Sequence, residues 1–157
     1  MLLEGSCHCG AVRFRCRAYA PAPYMHCYCG ICRKTAGAGG YAINLGARAE
    51  SLEVEGESAL GSYQARIDGE QSTLQRKFCR ECGTFLWAQD PRWPELIHPF
   101  ASCIDTPLPA PPERVHIMLR YKPAWVPVPA GEGHRHFDEY PDESLEAWHR
   151  RWGLYSE

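Results

Sequence analysis

Hydrophobic and polar residues alternate along the segment that follows the first pair of cysteines. The apolar positions there are Val12, Phe14, Cys16 and Ala18, and each is followed by an arginine or a tyrosine. A period of two is typical of a β-strand with one buried face and one solvated face. The pattern therefore predicts a strand that leaves directly from the cysteine pair.

Six further segments have the composition of short strands, and residues that break regular structure separate them at close intervals. They are residues 41–45, 51–55, 73–78, 84–88, 96–101 and 114–119. This spacing favours an all-β arrangement over a regular alternation of strands and helices.

One helix is predicted near the end of the chain, at about residues 142–152. Asp142 is placed to cap its start, and Gly153 is placed to end it. Leu145, Trp148 and Trp152 would then share one face of the helix and dock on a sheet.

Length and charge restrict the classes of protein that fit. A chain of 157 residues is enough for one domain, 1–157, with its own core. We expect a cytoplasmic protein without a membrane segment, because the sequence shows neither a signal peptide nor an apolar run of membrane-spanning length. The formal net charge of −2 argues against a nucleic-acid partner, which needs a clustered basic face.

Seven of the nine cysteines are spaced like metal ligands, and a reducing compartment favours metal binding over disulfides. Two close pairs about seventy residues apart can together complete a tetrahedral zinc site. These residues are Cys7, Cys9, Cys79 and Cys82. Four thiolates fill the coordination shell of zinc, so we predict a structural site without chemistry of its own.

The remaining close group, Cys27, Cys29 and Cys32, supplies three ligands from what we predict to be one short loop. Its fourth position is open to water, to an outside thiol or to a distant side chain. We interpret Cys16 as a thiol of the core, whereas Cys103 fits either the core or the fourth ligand position. With an open position, zinc would activate a thiol by holding it as thiolate.

Other polar residues near these groups carry weaker signals. Arg33 and Lys34 follow the three-cysteine group directly and are candidates for pairing with an anionic thiol ligand, although a solvated loop is equally consistent. His8 and His26 are interpreted as residues beside the sites rather than ligands. His134 and His136 are predicted to lie in an exposed turn.

Three motifs resemble the glutathione-dependent formaldehyde-activating enzymes, a family grouped with the centromere protein V domain. They are Gly5-Ser6-Cys7-His8-Cys9-Gly10-Ala11-Val12, His26-Cys27-Tyr28-Cys29-Gly30-Ile31-Cys32-Arg33-Lys34 and Phe78-Cys79-Arg80-Glu81-Cys82-Gly83-Thr84. With a later match ending at Trp125, the resemblance covers about residues 3–128. The segment from about residue 131 onward has no motif of the family.

The resemblance implies a β-tent fold, in which antiparallel sheets lean together and are pinned by a structural zinc. It also implies a second, catalytic zinc at Cys27, Cys29 and Cys32, and glutathione as the thiol co-substrate. The reaction implied is the addition of glutathione to formaldehyde, formally the reverse of a carbon–sulfur lyase. The competing interpretation is a zinc-stabilised module that binds glutathione or a protein partner without catalysis.

Overall fold

A computed structural model of the chain describes residues 1–155. In that part of the chain the strands are β1 (Leu2–Ser6), β2 (Arg13–Arg17), β3 (Tyr24–Cys27), β4 (Ala42–Asn44), β5 (Ala47–Arg48), β6 (Glu53–Glu55), β7 (Leu60–Tyr63), β8 (Arg66–Ile67), β9 (Glu70–Gln71), β10 (Gln75–Cys79), β11 (Phe85–Gln89), β12 (Leu96–Pro99), β13 (Arg114–Ile117) and β14 (His134–His136). The α-helices are α1 (Gly30–Ala36) and α2 (Leu145–Arg151). Short 3₁₀ turns cover Ala49–Ser51, Glu57–Ala59, Ala101–Cys103 and Leu119–Tyr121.

The strands form three main sheets and one hairpin, so the prediction of a mainly β fold is confirmed. Their strand orders are β1-β2-β6, β5-β12-β11-β10-β7 and β14-β13-β3-β4, with β8 and β9 as the separate hairpin. The first two sheets are antiparallel throughout. Each of the seven predicted segments contains or overlaps an observed strand.

Strand β2 shows why the alternating pattern predicts local structure. Its three arginines are exposed, whereas Phe14 and Cys16 are buried. On that buried face Phe14 contacts Trp87 of β11, with ring centroids 5.1 Å apart. The apolar face of the first sheet thereby packs onto the second sheet and forms part of the core.

The third sheet contains parallel pairs that the sequence did not predict. Strand β13 lies between β3 and β14 and runs parallel to both, while β3 and β4 are antiparallel. Ile117 lies opposite Cys27 in this register. The long connection from β3 to β13 is needed because two parallel strands cannot be joined by a tight turn.

The predicted C-terminal helix is present, but it is shorter than expected and begins differently. Its cap is Ser144, whose hydroxyl accepts a hydrogen bond from Ala147 N at 3.1 Å, and not Asp142. Trp148 is buried as predicted, whereas Trp152 is 40% exposed and does not dock on the sheet. Helix α2 is held instead through the Trp148 indole N–H, which donates to Glu113 Oε2 at 2.6 Å.

Neither α-helix in residues 1–155 has the length and apolar character that crossing a membrane requires.

Candidate metal centre and thiol site

The first cysteine group is formed by two turns that lie next to each other. Cys7 and Cys9 follow β1, and Cys79 and Cys82 lie at the end of β10 and in the turn to β11. The Sγ atoms of Cys7 and Cys9 are 3.6 Å apart, and those of Cys9 and Cys79 are 3.8 Å apart. A tetrahedral zinc with bonds of about 2.3 Å separates its sulfur ligands by roughly 3.8 Å. The four sulfurs therefore fit a closed zinc site.

Each of the two turns contains a glycine with a positive φ. Gly10 has φ +79° and Gly83 has φ +77°, a region that side chains rarely occupy. The tight turns bring backbone N–H groups close to the sulfurs, and Val12 N donates to Cys7 Sγ at 3.2 Å. A hydrogen bond from the Thr84 hydroxyl lowers the pKa of Cys82 to about 5. These contacts favour the thiolate form that zinc binds.

The second group lies where β3 ends and α1 begins. The sulfurs of Cys27, Cys29 and Cys32 all lie within 4.8 Å of one another, so they could hold a metal ion. This segment was predicted as a loop, but residues from Gly30 onward are helical, and Cys29 caps the helix by accepting from Cys32 N at 3.3 Å. The helix thereby brings the third sulfur back toward the first two.

Hydrogen bonding concentrates negative charge on the middle cysteine of this group. The thiols of Cys27 and Cys32 lower the pKa of Cys29 to about 2, and the backbone N–H groups at the start of α1 act in the same direction. The same contacts, with burial, raise the pKa of Cys27. Even without metal, the arrangement favours a thiolate at Cys29.

Within residues 1–155, no fourth cysteine, histidine or carboxylate joins this second group. Cys103, which the sequence left undecided, is a core thiol that contacts the carbonyl oxygens of Leu86 and Phe100 at 3.2 Å each. Cys16 is fully buried, as expected, and burial raises its pKa to about 11.

A buried arginine contacts the second group, and this contact was not predicted from the sequence. Arg76 on β10 is only 5% exposed, and its Nη1 lies 3.4 Å from Cys32 Sγ. The same strand ends at Cys79 of the first group. Residues 75–77 are three consecutive polar residues and resemble an exposed segment, which explains why the sequence pattern did not indicate the contact.

The two cations predicted beside the site differ in their surroundings. Lys34 is exposed on α1. Arg33 is partly buried, and its Nε is fully enclosed without a hydrogen-bond partner among the described residues. A buried N–H without a partner carries a cost of about 1–3 kcal/mol. An anionic ligand would relieve that cost at Arg33, so Arg33 is the better placed of the two.

The C-terminal segment contacts the residues that follow β13 and interacts electrostatically with the second group. Met118 N and Leu119 N, which follow β13, donate to the carbonyl oxygens of Glu139 and Phe137 at 3.0 and 3.2 Å. The next residue, Tyr140, has an exposed phenol. Neighbouring protein atoms partly desolvate the hydroxyl and raise the pKa of Tyr140, Arg92 opposes that effect, and the three thiols of the group raise the pKa further.

A cluster of histidines and tyrosines lies next to the segment from Cys27 to Cys29. In this cluster, His134 and His136 do not form the exposed turn that was predicted. These residues form β14, and His134 Nδ1 is 2.9 Å from His116 Nε2. His116 is fully buried, and its other ring nitrogen is 2.8 Å from the Tyr28 hydroxyl. Burial lowers the pKa of His116 to about 3, so the ring is neutral and the chain of hydrogen bonds holds the segment in place.

A family model and one similar protein carry the same enzyme name. A family model described as "Glutathione-dependent formaldehyde-activating enzyme" matches residues 2–120. A Halomonas elongata protein is 60% identical over 154 residues, 98% of each chain, and its name provisionally describes a glutathione-dependent formaldehyde-activating enzyme. A crystal structure of a Rhodobacter sphaeroides protein, 30% identical with a TM-score of 0.52, covers 68% of this chain and 91% of its own. Residues after 120 therefore lie outside the family match but inside the Halomonas match.

Proposed function

Because the chain belongs to the family of glutathione-dependent formaldehyde-activating enzymes, we propose that it joins glutathione to a small aldehyde, with formaldehyde as the first candidate. The observation that carries this proposal is the contrast between the two cysteine groups. Four sulfurs at spacings that suit tetrahedral zinc make a closed site, whereas three sulfurs without a fourth protein ligand in residues 1–155 leave one position for substrate.

In this proposal both groups hold zinc, one as a structural site and one as the catalytic site. The donor sets support this, because clustered thiolates are the ligands that zinc prefers. Zinc bound at Cys27, Cys29 and Cys32 would act as a Lewis acid. It would keep an added thiol ionised at pH values well below the free thiol pKa of about 8.5.

The chain's own residues orient the thiol and its carboxylates. Arg33 is the proposed partner of a glutathione carboxylate, since its buried Nε lacks an acceptor in the described part of the chain. Lys34, fully on the surface, would add only a general attraction for anions. Tyr140 is proposed to border the same site from the C-terminal segment, given its electrostatic interaction with the three cysteines.

The reaction needs no oxidant or reductant. A bond forms between the glutathione sulfur and the carbonyl carbon, and the π bond of the carbonyl breaks. The thiol proton ends on the resulting hydroxyl group, so atoms and electrons balance and the product is S-hydroxymethylglutathione. Catalysis then consists of positioning the thiol and supplying it as thiolate.

The C-terminal segment is proposed to belong to the same single domain, 1–157. Two contacts support this for the described residues. Trp148 donates to Glu113 just before β13, and His149 Nε2 is 2.8 Å from the carbonyl oxygen of Ala22, which precedes β3. Helix α2 therefore packs against the beginnings of two adjacent parallel strands, β13 and β3, the second of which ends at Cys27.

The test compares Cys29→Ser with Cys103→Ser in protein loaded with cobalt in place of zinc. Glutathione should increase the sulfur-to-metal charge-transfer absorption of the parent protein and of C103S, because the thiol of Cys103 faces backbone carbonyls instead of a metal group. C29S should lose this response and the acceleration of adduct formation followed by NMR. Both variants should keep their fold by circular dichroism.

Two results would contradict the proposal. Normal glutathione binding by C29S would show that the thiol site lies elsewhere. Saturable glutathione binding by the parent protein, without any acceleration of S-hydroxymethylglutathione formation over the uncatalysed reaction, would favour the binding module over the enzyme.

A further inference from the structure

Arg76 combines three properties that a structural arginine rarely shows together. It is 5% exposed, it lies on β10, an interior strand of the five-stranded sheet, and its hydrogen bond goes to Cys32 Sγ at 3.4 Å. In the described part of the chain no carboxylate lies within ion-pair distance of it. Its positive charge is therefore directed at the three-cysteine group alone.

The net charge of the metal-loaded group shows how Arg76 would affect ligand binding. Three thiolates with one Zn²⁺ carry a charge of −3 + 2 = −1, and a fourth thiolate brings the group to −2. Two of the three cysteines are buried, where solvent compensates charge poorly. With Arg76 included, the totals become 0 before and −1 after a thiolate arrives, whereas a neutral fourth ligand leaves the total unchanged.

We propose that Arg76 is the counter-charge of the three-cysteine group and makes its open position select an anionic thiolate over a neutral ligand. This inference rests on the proposed function, because it assumes that the group takes an external ligand. Arg76 acts through Cys32 and the metal, so it is a positioning residue. It is distinct from Arg33, whose proposed partner is a carboxylate elsewhere on glutathione.

The experiment uses the cobalt-loaded protein and two probe ligands, one that binds as an anion and one that is neutral. 2-Mercaptoethanol supplies a thiolate without carboxylates, so its affinity does not depend on Arg33, and imidazole supplies a neutral ligand. The variants are Arg76→Gln, which keeps N–H donors but removes the charge, and Arg76→Lys, which keeps the charge. Lys77→Gln is the matched control, because it removes the same charge from the next residue of β10.

R76Q should bind 2-mercaptoethanol at least about tenfold more weakly, because an opposite charge at this range changes the protonation equilibrium of an ionisable group by about 1–3 pKa units. Its affinity for imidazole should not change. R76K should recover most of the thiolate affinity, and K77Q should match the parent protein. Metal content and thermal unfolding confirm that each variant is folded and loaded.

The outcomes separate this inference from the function on which it rests. Equal losses for both probes in R76Q would show a structural role and overturn the inference, and so would unchanged affinities. If the parent protein prefers 2-mercaptoethanol in an Arg76-dependent way but does not bind glutathione, the inference stands and the proposed function fails. A parent protein that takes neither probe would refute both. Should R76Q not fold, Arg76→Met, which removes the charge and keeps an unbranched side chain in the buried position, decides the question through the same ratio of the two affinities.

Discussion

Replacing Gly56 tests whether a close backbone contact with Ala11 stabilises the first cysteine turn. It lies between β6 and the 3₁₀ turn that precedes β7, with φ +80°. A Cβ atom at this position would overlap the carbonyl oxygen of Ala11, the residue after the Cys7–Gly10 turn. Gly69, in the β8–β9 hairpin, has nearly the same φ of +83° but has open space around it. The two glycines therefore form a matched pair.

The pair separates two costs of replacing glycine by alanine. The left-handed conformation alone costs about 1–2 kcal/mol for a residue with a side chain. Overlap with the backbone adds about 1–3 kcal/mol, because the neighbouring chain must move. For a chain of 157 residues, each kcal/mol lowers Tm by about 2–4 °C. We expect Gly69→Ala to lower Tm by about 2–8 °C and Gly56→Ala by about 4–20 °C.

A displaced Ala11 should also weaken the cysteine turn. Val12 N, the next backbone donor, contacts Cys7 Sγ at 3.2 Å, so G56A should release zinc to a chromogenic chelator faster than G69A does. Thermal unfolding and the chelator assay on the same preparations give both quantities. Equal changes in Tm and equal release rates for the two variants would refute the role of the Gly56–Ala11 contact.

Three further changes test separate parts of the molecule. Cys79→Ser should remove the structural zinc and unfold the chain, because the binding energy of such a metal is folding energy, and metal analysis with circular dichroism checks this. Trp148→Phe deletes a 2.6 Å hydrogen bond to a buried carboxylate and should lower the free energy of unfolding, measured in urea, by about 1–3 kcal/mol. Trp152→Phe changes an exposed position and should lower it by less than about 0.5 kcal/mol. Asp90→Asn should lower the urea midpoint equally at pH 6, 7 and 8, because hydrogen bonds from Arg92 hold the pKa of Asp90 at about 2. That stabilisation is complete above the unfolded-state pKa of about 3.9 and is lost only as the pH falls through about 2.

Local patterns account for the part of the fold that the sequence predicts well. In β2 the side chains alternate between solvent and core, and the alternation is visible without any knowledge of the partners. Cysteine spacing is equally local, since each close pair or triplet forms one turn. The need of a tetrahedral zinc for four ligands joined the two pairs into one predicted group, and the structure brings their sulfurs together.

Non-local contacts account for most of what the sequence did not predict. Strand β3 is a short, mostly buried segment without alternation, and its parallel partner β13 lies some ninety residues away. Helix α1 escaped notice because it begins at Gly30 and is capped by a thiol, Cys29, instead of a typical polar cap. His134 looked like part of a turn because nothing in its surroundings indicates the buried His116 that it contacts.

Strand β10 explains why one small fold supports both a closed and an open cysteine group. Arg76 and Cys79 are three residues apart, a spacing that places side chains on opposite faces of a regular strand. The register between β10 and β11 shifts between Lys77 and Phe78, as it does at a β-bulge, which increases twist and redirects side chains. Both Arg76 and Cys79 are buried, each against a different cysteine group. The four-cysteine group lies at the end of this strand, and the same strand places the positive charge of Arg76 against the three-cysteine group.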